Sequence, residues 1–122
     1  MTSRMTSKIL VVEDEPLLLM TAVHVVEDAG FEALEAHDAD EALRLLENVP
    51  DIKVLWTDID MPGSMDGLRL AAVVRERWAS IEILVVSGMK RPADDQIPER
   101  GVFFAKPYDI QSVVDTLVRL AT

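Results

Sequence analysis

The chain contains no cysteine, which excludes disulfides, thiolate nucleophiles and zinc centres built on sulfur. Its fold must therefore rest on an apolar core. The 122 residues, 49% of them hydrophobic, suffice for one such domain and leave little room for a second. Long apolar runs are missing too. The polar residues 1–8 precede only a brief run, Ile9 to Val12, too short for a signal peptide and far short of the about 20 residues that span a membrane. The expectation is a soluble, cytoplasmic protein with no membrane contact, residues 1–7 forming a flexible tail and 8–122 the domain. Positive charge is scarce as well: 12 basic residues against 22 acidic ones give a net charge of −10. Such a surface repels a phosphate backbone, which argues against direct nucleic-acid binding. Most of this acidity serves solubility, but some of the acids fall where solubility does not explain them.

Short apolar runs alternate with helical periodicity. Lys8–Val12 reads as a strand, and Pro16 suits the first turn of a helix whose stripe is Leu18, Ala22, Val25, Val26 and Ala29, stopped by Gly30. Residues 31–36 form a second strand. Asp38 and Glu41 make a capping pair for a helix ending before Pro50. Residues 52–57 are apolar at successive positions, as a parallel strand buried on both faces must be. A helix follows with Gly67, Leu70, Ala71, Val74 and Trp78 on one side; residues 81–86 and 102–104 supply the fourth and fifth strands. Asp109 caps a last helix whose stripe is Ile110, Val113, Val114, Leu117 and Val118. This alternation predicts an α/β domain, a doubly wound five-stranded parallel sheet in the order 2-1-3-4-5 with helices on both faces. Between the fourth and fifth strands, Pro92, Pro98 and a run of charges make the expected fourth helix short or irregular.

In doubly wound sheets, ligands bind beyond the carboxyl ends of the strands. Glu13 and Asp14 follow the first strand, Asp58 the third, Ser87 the fourth and Lys106 the fifth. The fold would gather these residues along one edge. Three carboxylates in one cleft repel one another unless a cation separates them, and a donor set of oxygen alone favours Mg²⁺ or Mn²⁺. A carboxylate is also a nucleophile for phosphoryl transfer, which asks mainly for positioning and charge neutralisation. Asp58 suits that part, with the Lys106 ammonium and the Ser87 hydroxyl as donors to phosphoryl oxygens. Taken singly, an acid pair after a strand caps a helix, Lys106 is a solvated lysine and Ser87 a turn residue; their joint placement is what points to chemistry.

These segments, ILVVEDE, WTDIDMPGSMDG, VVSG and FFAKPY, resemble the response-regulator receiver domains of bacterial two-component systems over nearly the whole chain. The resemblance implies a flavodoxin-like fold and a phosphorylation switch with Asp58 as phospho-acceptor. It implies Mg²⁺ held by Asp14 and Asp58, by the Asp60 backbone carbonyl, and by Glu13 largely through water. It also implies a phosphoryl contact from Lys106, a cis Lys106–Pro107 bond, and a coupled movement of Ser87 and Phe103 that alters the surface around the last two strands. The implied partners are a histidine kinase or histidine phosphotransfer protein and an unknown downstream protein, the chain itself being a monomer or weak dimer. It would catalyse only its own phosphorylation and dephosphorylation. Since the chain ends at Thr122 after the last helix, it reads as a stand-alone regulator, acting by protein contact or as a phosphate sink. Three features depart from the family: one additional residue in the turn Met61–Gly67, which resembles receivers of hybrid kinases; Phe103 in place of the commoner Tyr; and the weak fourth helix at the usual output face.

Other readings fit the residues less completely. A receiver excised from a hybrid histidine kinase keeps the chemistry. A haloacid-dehalogenase-like phosphatase would use Asp58 as nucleophile and Asp60 as acid/base, but its motif follows a first strand in a longer chain. An interaction module without chemistry leaves the complete acid set unexplained. His24 and His37 join no other ligand and read as structural residues, and Trp56 reads as packing.

Overall fold

The computed structural model describes residues 7–89 and 91–122. Of the tail expected at 1–7, residues 1–6 lie outside these residues, whereas Ser7 is buried and its carbonyl accepts the Glu32 N–H at 3.0 Å. The described elements, in chain order, are β1 (Lys8–Val12), α1 (Pro16–Asp28), β2 (Glu32–Ala36), α2 (Ala39–Asn48), β3 (Ile52–Asp58), α3 (Gly67–Arg77), β4 (Glu82–Ser87), β5 (Val102–Ala105) and α4 (Ile110–Ala121). All strand pairs are parallel, and the sheet order is β2-β1-β3-β4-β5, as the alternation predicts.

Successive side chains of a strand point to opposite faces, so an apolar run serves two cores at once. Ile9, Val11, Val54, Trp56, Leu84 and Val86 pack with α1 and α4 on one face. Leu10, Val12, Leu55, Ile83 and Val85 pack with α2 and α3 on the other. Trp56 is a core residue and meets Tyr108 edge-to-face, with ring centroids 5.7 Å apart. His24 is exposed, consistent with a structural reading.

The helix starts follow local chemistry. Pro16 needs no N–H partner at the first turn of α1, and Glu15 Oε1 accepts the Leu17 N–H at 2.8 Å. Gly30, at φ 96°, turns the chain away after α1. Asp38 caps α2 through the Glu41 N–H at 2.9 Å. Glu41 reaches back to the His37 N–H at 2.7 Å, one residue earlier than a standard capping box would have it. The His37 ring also lies 2.9 Å from Glu41.

No α-helix forms between β4 and β5 among the described residues; one turn of 3₁₀-helix, Asp94–Gln96, stands in its place. Pro92 and Pro98 bracket it, and neither can supply a helical N–H. The segment is tied down by Arg75, whose guanidinium donates to the carbonyls of Glu99, Ala79 and Ile81 at 3.0, 3.0 and 2.7 Å. Ile97 packs on the core, and the Arg91 guanidinium lies 5.2 Å from the centroid of the Phe103 ring.

Candidate functional site

Asp58 is the last residue of β3 and Ser87 the last of β4, each one residue inside the strand rather than just past it. The ladder explains the difference: Asp58 still pairs with Val86 and Ser87 with Ala105. Asp58 is thereby held by the sheet itself. Lys106 follows β5, and its N–H donates to the Ser87 carbonyl at 2.9 Å. Glu13 and Asp14 leave the end of β1, where the Glu13 N–H is held by the Ala36 carbonyl at 3.0 Å. The sheet thus brings four strand ends, and the five residues expected there, to one edge.

Lys106 Nζ lies 2.9 Å from both Glu13 Oε1 and Asp58 Oδ1, bridging the two buried carboxylates. Asp14 is exposed beside them, and one oxygen from each of Glu13, Asp14 and Asp58 lies within 4.8 Å of the others. Asp60 is exposed, and its carboxylate accepts the Ser87 hydroxyl at 2.8 Å, a contact no sequence pattern predicts. Phe103 lies on β5, partly buried. The Lys106–Pro107 bond is cis. Among the residues that sequence reasoning missed is Gly67, at the start of α3: a Cβ there would overlap the Asp58 carbonyl oxygen and stand 2.7 Å from its carbon. Beside Lys106 opens a groove of about 360 Å³, lined by Leu18, Ala22, Trp56, Tyr108 and Ile110.

Burial pushes the Asp58 carboxyl above its ordinary value, the Lys106 hydrogen bond and charge pull it back only in part, and the charges of Asp60 and Asp14 add to the rise. Glu13 is raised for the same first reason, against the Lys106 hydrogen bond. Burial alone would lower the Lys106 ammonium, but its bonds to Asp58 and Glu13 outweigh that and hold it high. The site is therefore short of positive charge, a fit for a divalent cation among hard oxygen donors.

This balance has a stability consequence. An acid whose pKa is raised by folding costs stability when ionised: the cost is absent below the ordinary value of 3.8 and complete above the raised one. Asp58→Asn removes it. Without metal, the variant is expected to melt above the wild type near neutral pH, and its advantage to shrink as the pH falls towards 3.8. Thermal unfolding across that range checks this; a variant less stable near neutral pH would show that the Lys106 pairing outweighs burial.

The arrangement is a doubly wound parallel sheet with three carboxylates and a lysine gathered at the carboxyl ends of its strands. Residues 9–117 match the response regulator receiver domain family, and the chain belongs to it. Its relatives include the nitrogen assimilation regulatory protein NtrX of Azorhizobium caulinodans, 30% identical over 90% of this chain and 25% of that one. The crystal structure of the receiver domain of the hybrid histidine kinase CckA is 30% identical, with a TM-score of 0.78, covering 95% of this chain and all of that one. The response regulator TrrA of Thermotoga maritima, solved in complex with Mg²⁺ and BeF, shares the fold at 22% identity, with a TM-score of 0.84 over 94% of this chain and 99% of that one. The chain spans between 5% and 48% of the length of curated relatives that it matches, NtrX among them. Among the described residues no helix is long and apolar enough to cross a membrane.

Proposed function

We propose that the chain is a phosphorylation-dependent switch of a two-component system, taking a phosphoryl group onto Asp58 from a histidine kinase or histidine phosphotransfer protein. The observation that carries this reading is the placement of Asp58: buried, rigidly seated in the sheet, and joined to Lys106 at 2.9 Å beside two further carboxylates. An ionised Asp58 oxygen attacks phosphorus and forms the acyl phosphate O–P bond. The P–N bond of the donor phosphohistidine breaks with its electron pair going to the imidazole. Lys106 neutralises one phosphoryl oxygen, and Ser87 offers a second contact. Asp14, Asp58 and the Asp60 backbone carbonyl would hold Mg²⁺, or Mn²⁺, with Glu13 acting largely through water; such a cation neutralises charge on the phosphoryl oxygens. The chain would catalyse only its own phosphorylation and dephosphorylation, in the cytoplasm. Its output would be contact with a downstream protein, or service as a phosphate sink, without binding nucleic acid. Phe103 would move with Ser87 to report the modification.

The likeness to the CckA receiver and the additional residue in the Met61–Gly67 turn favour a second reading, a receiver working within a hybrid kinase. The phosphatase reading has lost its footing, since Asp58 ends the third strand, β3, and Asp60 follows it in a receiver-family chain.

Intact-mass analysis after incubation with acetyl phosphate and Mg²⁺ tests the central claim. The chain is expected to gain one phosphoryl group, and to gain none when EDTA is present; a chain that stays unmodified under both conditions sinks it. Lys106→Ala is expected to remain phosphorylatable but to lose the spectral response of the phosphorylated state. A wild-type response from that variant would remove Lys106 from the switch.

A further inference from the structure

The Ser87 hydroxyl is not idle in the resting protein. Ser87 is 2% exposed, and its single hydroxyl proton goes to Asp60 Oδ2 at 2.8 Å. The Ser87 hydroxyl oxygen in turn accepts the Met89 N–H at 3.2 Å, which fixes the rotamer from the other side. Asp60 itself is exposed, in the turn just beyond β3. The functional reading uses its backbone carbonyl and leaves its side chain without a task.

We propose that the Asp60 carboxylate is a latch on Ser87, competing with a phosphoryl group on Asp58 for the Ser87 proton. Asp60 is thus a positioning residue that sets how readily the switch moves. The inference rests on Asp58 being the phospho-acceptor, but the latch itself belongs to the resting state.

A hydroxyl has one proton to give, so Ser87 cannot serve Asp60 and a phosphoryl oxygen together. Both acceptors are anionic, so the exchange trades one charge-assisted hydrogen bond for another and lies near balance. The two ends of the bond differ in what they lose. A buried hydroxyl is costly to leave without an acceptor, whereas an exposed carboxylate takes water in its place. Ser87 therefore has two stable positions and no cheap intermediate one, and the strength of the Asp60 acceptor decides between them. Phosphorylation at Asp58 supplies the rival acceptor from the neighbouring strand end.

Removing Asp60 also removes a charge near Asp58, so the test must separate hydrogen bonding from charge. Beryllofluoride with Mg²⁺, as a mimic of the phosphoryl group, is titrated calorimetrically into the wild type, Asp60→Ala, Ser87→Ala and the double variant. Asp60→Ala is expected to tighten binding on the order of 5-fold when Ser87 is present, and clearly less in the Ser87→Ala background. Asp60→Asn, which keeps an acceptor and drops the charge, is expected to retain part of the restraint. In the unliganded protein, the Ser87 Cβ and Met89 amide resonances are expected to shift in Asp60→Ala. Equal tightening in both backgrounds, or unmoved resonances, overturns the latch while leaving Asp58 as acceptor. A wild type that takes up no beryllofluoride overturns the phospho-acceptor reading, and the competition falls with it.

Discussion

Asp58→Ala is expected to abolish the phosphoryl adduct altogether, leaving the mass of the chain unchanged after acetyl phosphate and Mg²⁺. The expectation is all-or-none because no neighbour can substitute. Glu13 is tied to Lys106 at 2.9 Å and to the Glu15 N–H at 3.2 Å, leaving it engaged on two sides. Asp14 and Asp60 are exposed, outside the bridge that Lys106 makes between Glu13 and Asp58. The fold of the variant should survive, since the ionised Asp58 costs stability rather than supplying it: burial and the neighbouring acids outweigh Lys106. Loss of labelling in a variant that melts at or above the wild-type temperature therefore reports chemistry and not unfolding. A variant labelled as fully as the wild type would move the acceptor elsewhere and overturn the function proposed.

Gly67→Ala is expected to damage both stability and labelling, for a steric reason. α3 begins directly behind Asp58, with the Gly67 N–H donating to the Ile59 carbonyl at 2.9 Å. The alanine methyl would overlap the Asp58 carbonyl oxygen and stand 2.9 Å from Ile59 Cα. These are backbone atoms of a central strand and its continuation, so no flexible side chain can yield. Overpacking of this kind costs about 3 kcal/mol or more where the backbone cannot relax, lowering the melting temperature by roughly 10 °C. Because the displaced group carries Asp58, labelling should fall even at temperatures where the variant is folded. Gly63 makes the contrast. Its φ of 108° strains any L side chain, but the nearest atom, Asp38 Cβ, is 3.9 Å from an added Cβ. Alanine there should cost only about 1–2 kcal/mol and leave labelling intact. Thermal melts and acetyl phosphate labelling of both variants check the pair; a Gly67→Ala chain as stable and active as the wild type would mean that α3 can retreat from β3.

The order of strands and helices, the two-sided cores and the missing helix were legible in the sequence because each is written in a few adjacent residues. Alternate positions of β1 and β3 face opposite cores, Asp38 and Asp109 cap the helices that follow them, and Pro92 and Pro98 interrupt any helix nearby. The residues of the site were legible as well, since parallel strands place their carboxyl ends on one edge and the acids, Ser87 and Lys106 stand at those ends. The strand ends at Asp58 and Ser87 were read one residue short, because periodicity marks apolar positions and the ladder continues through these polar ones. What each polar side chain holds was not legible. The Lys106 bridge to Glu13 joins residues 93 apart, and the Ser87–Asp60 bond residues 27 apart. Both depend on strand register and rotamer, which no local pattern encodes. The sequence alone thus determined the α/β fold, its family and the five residues gathered at its edge. Only the tertiary structure decided that Lys106 links two buried carboxylates, that Gly67 must be bare behind Asp58, and that Asp60 holds the Ser87 proton, because contacts of a few ångströms exist only once the strands are in register.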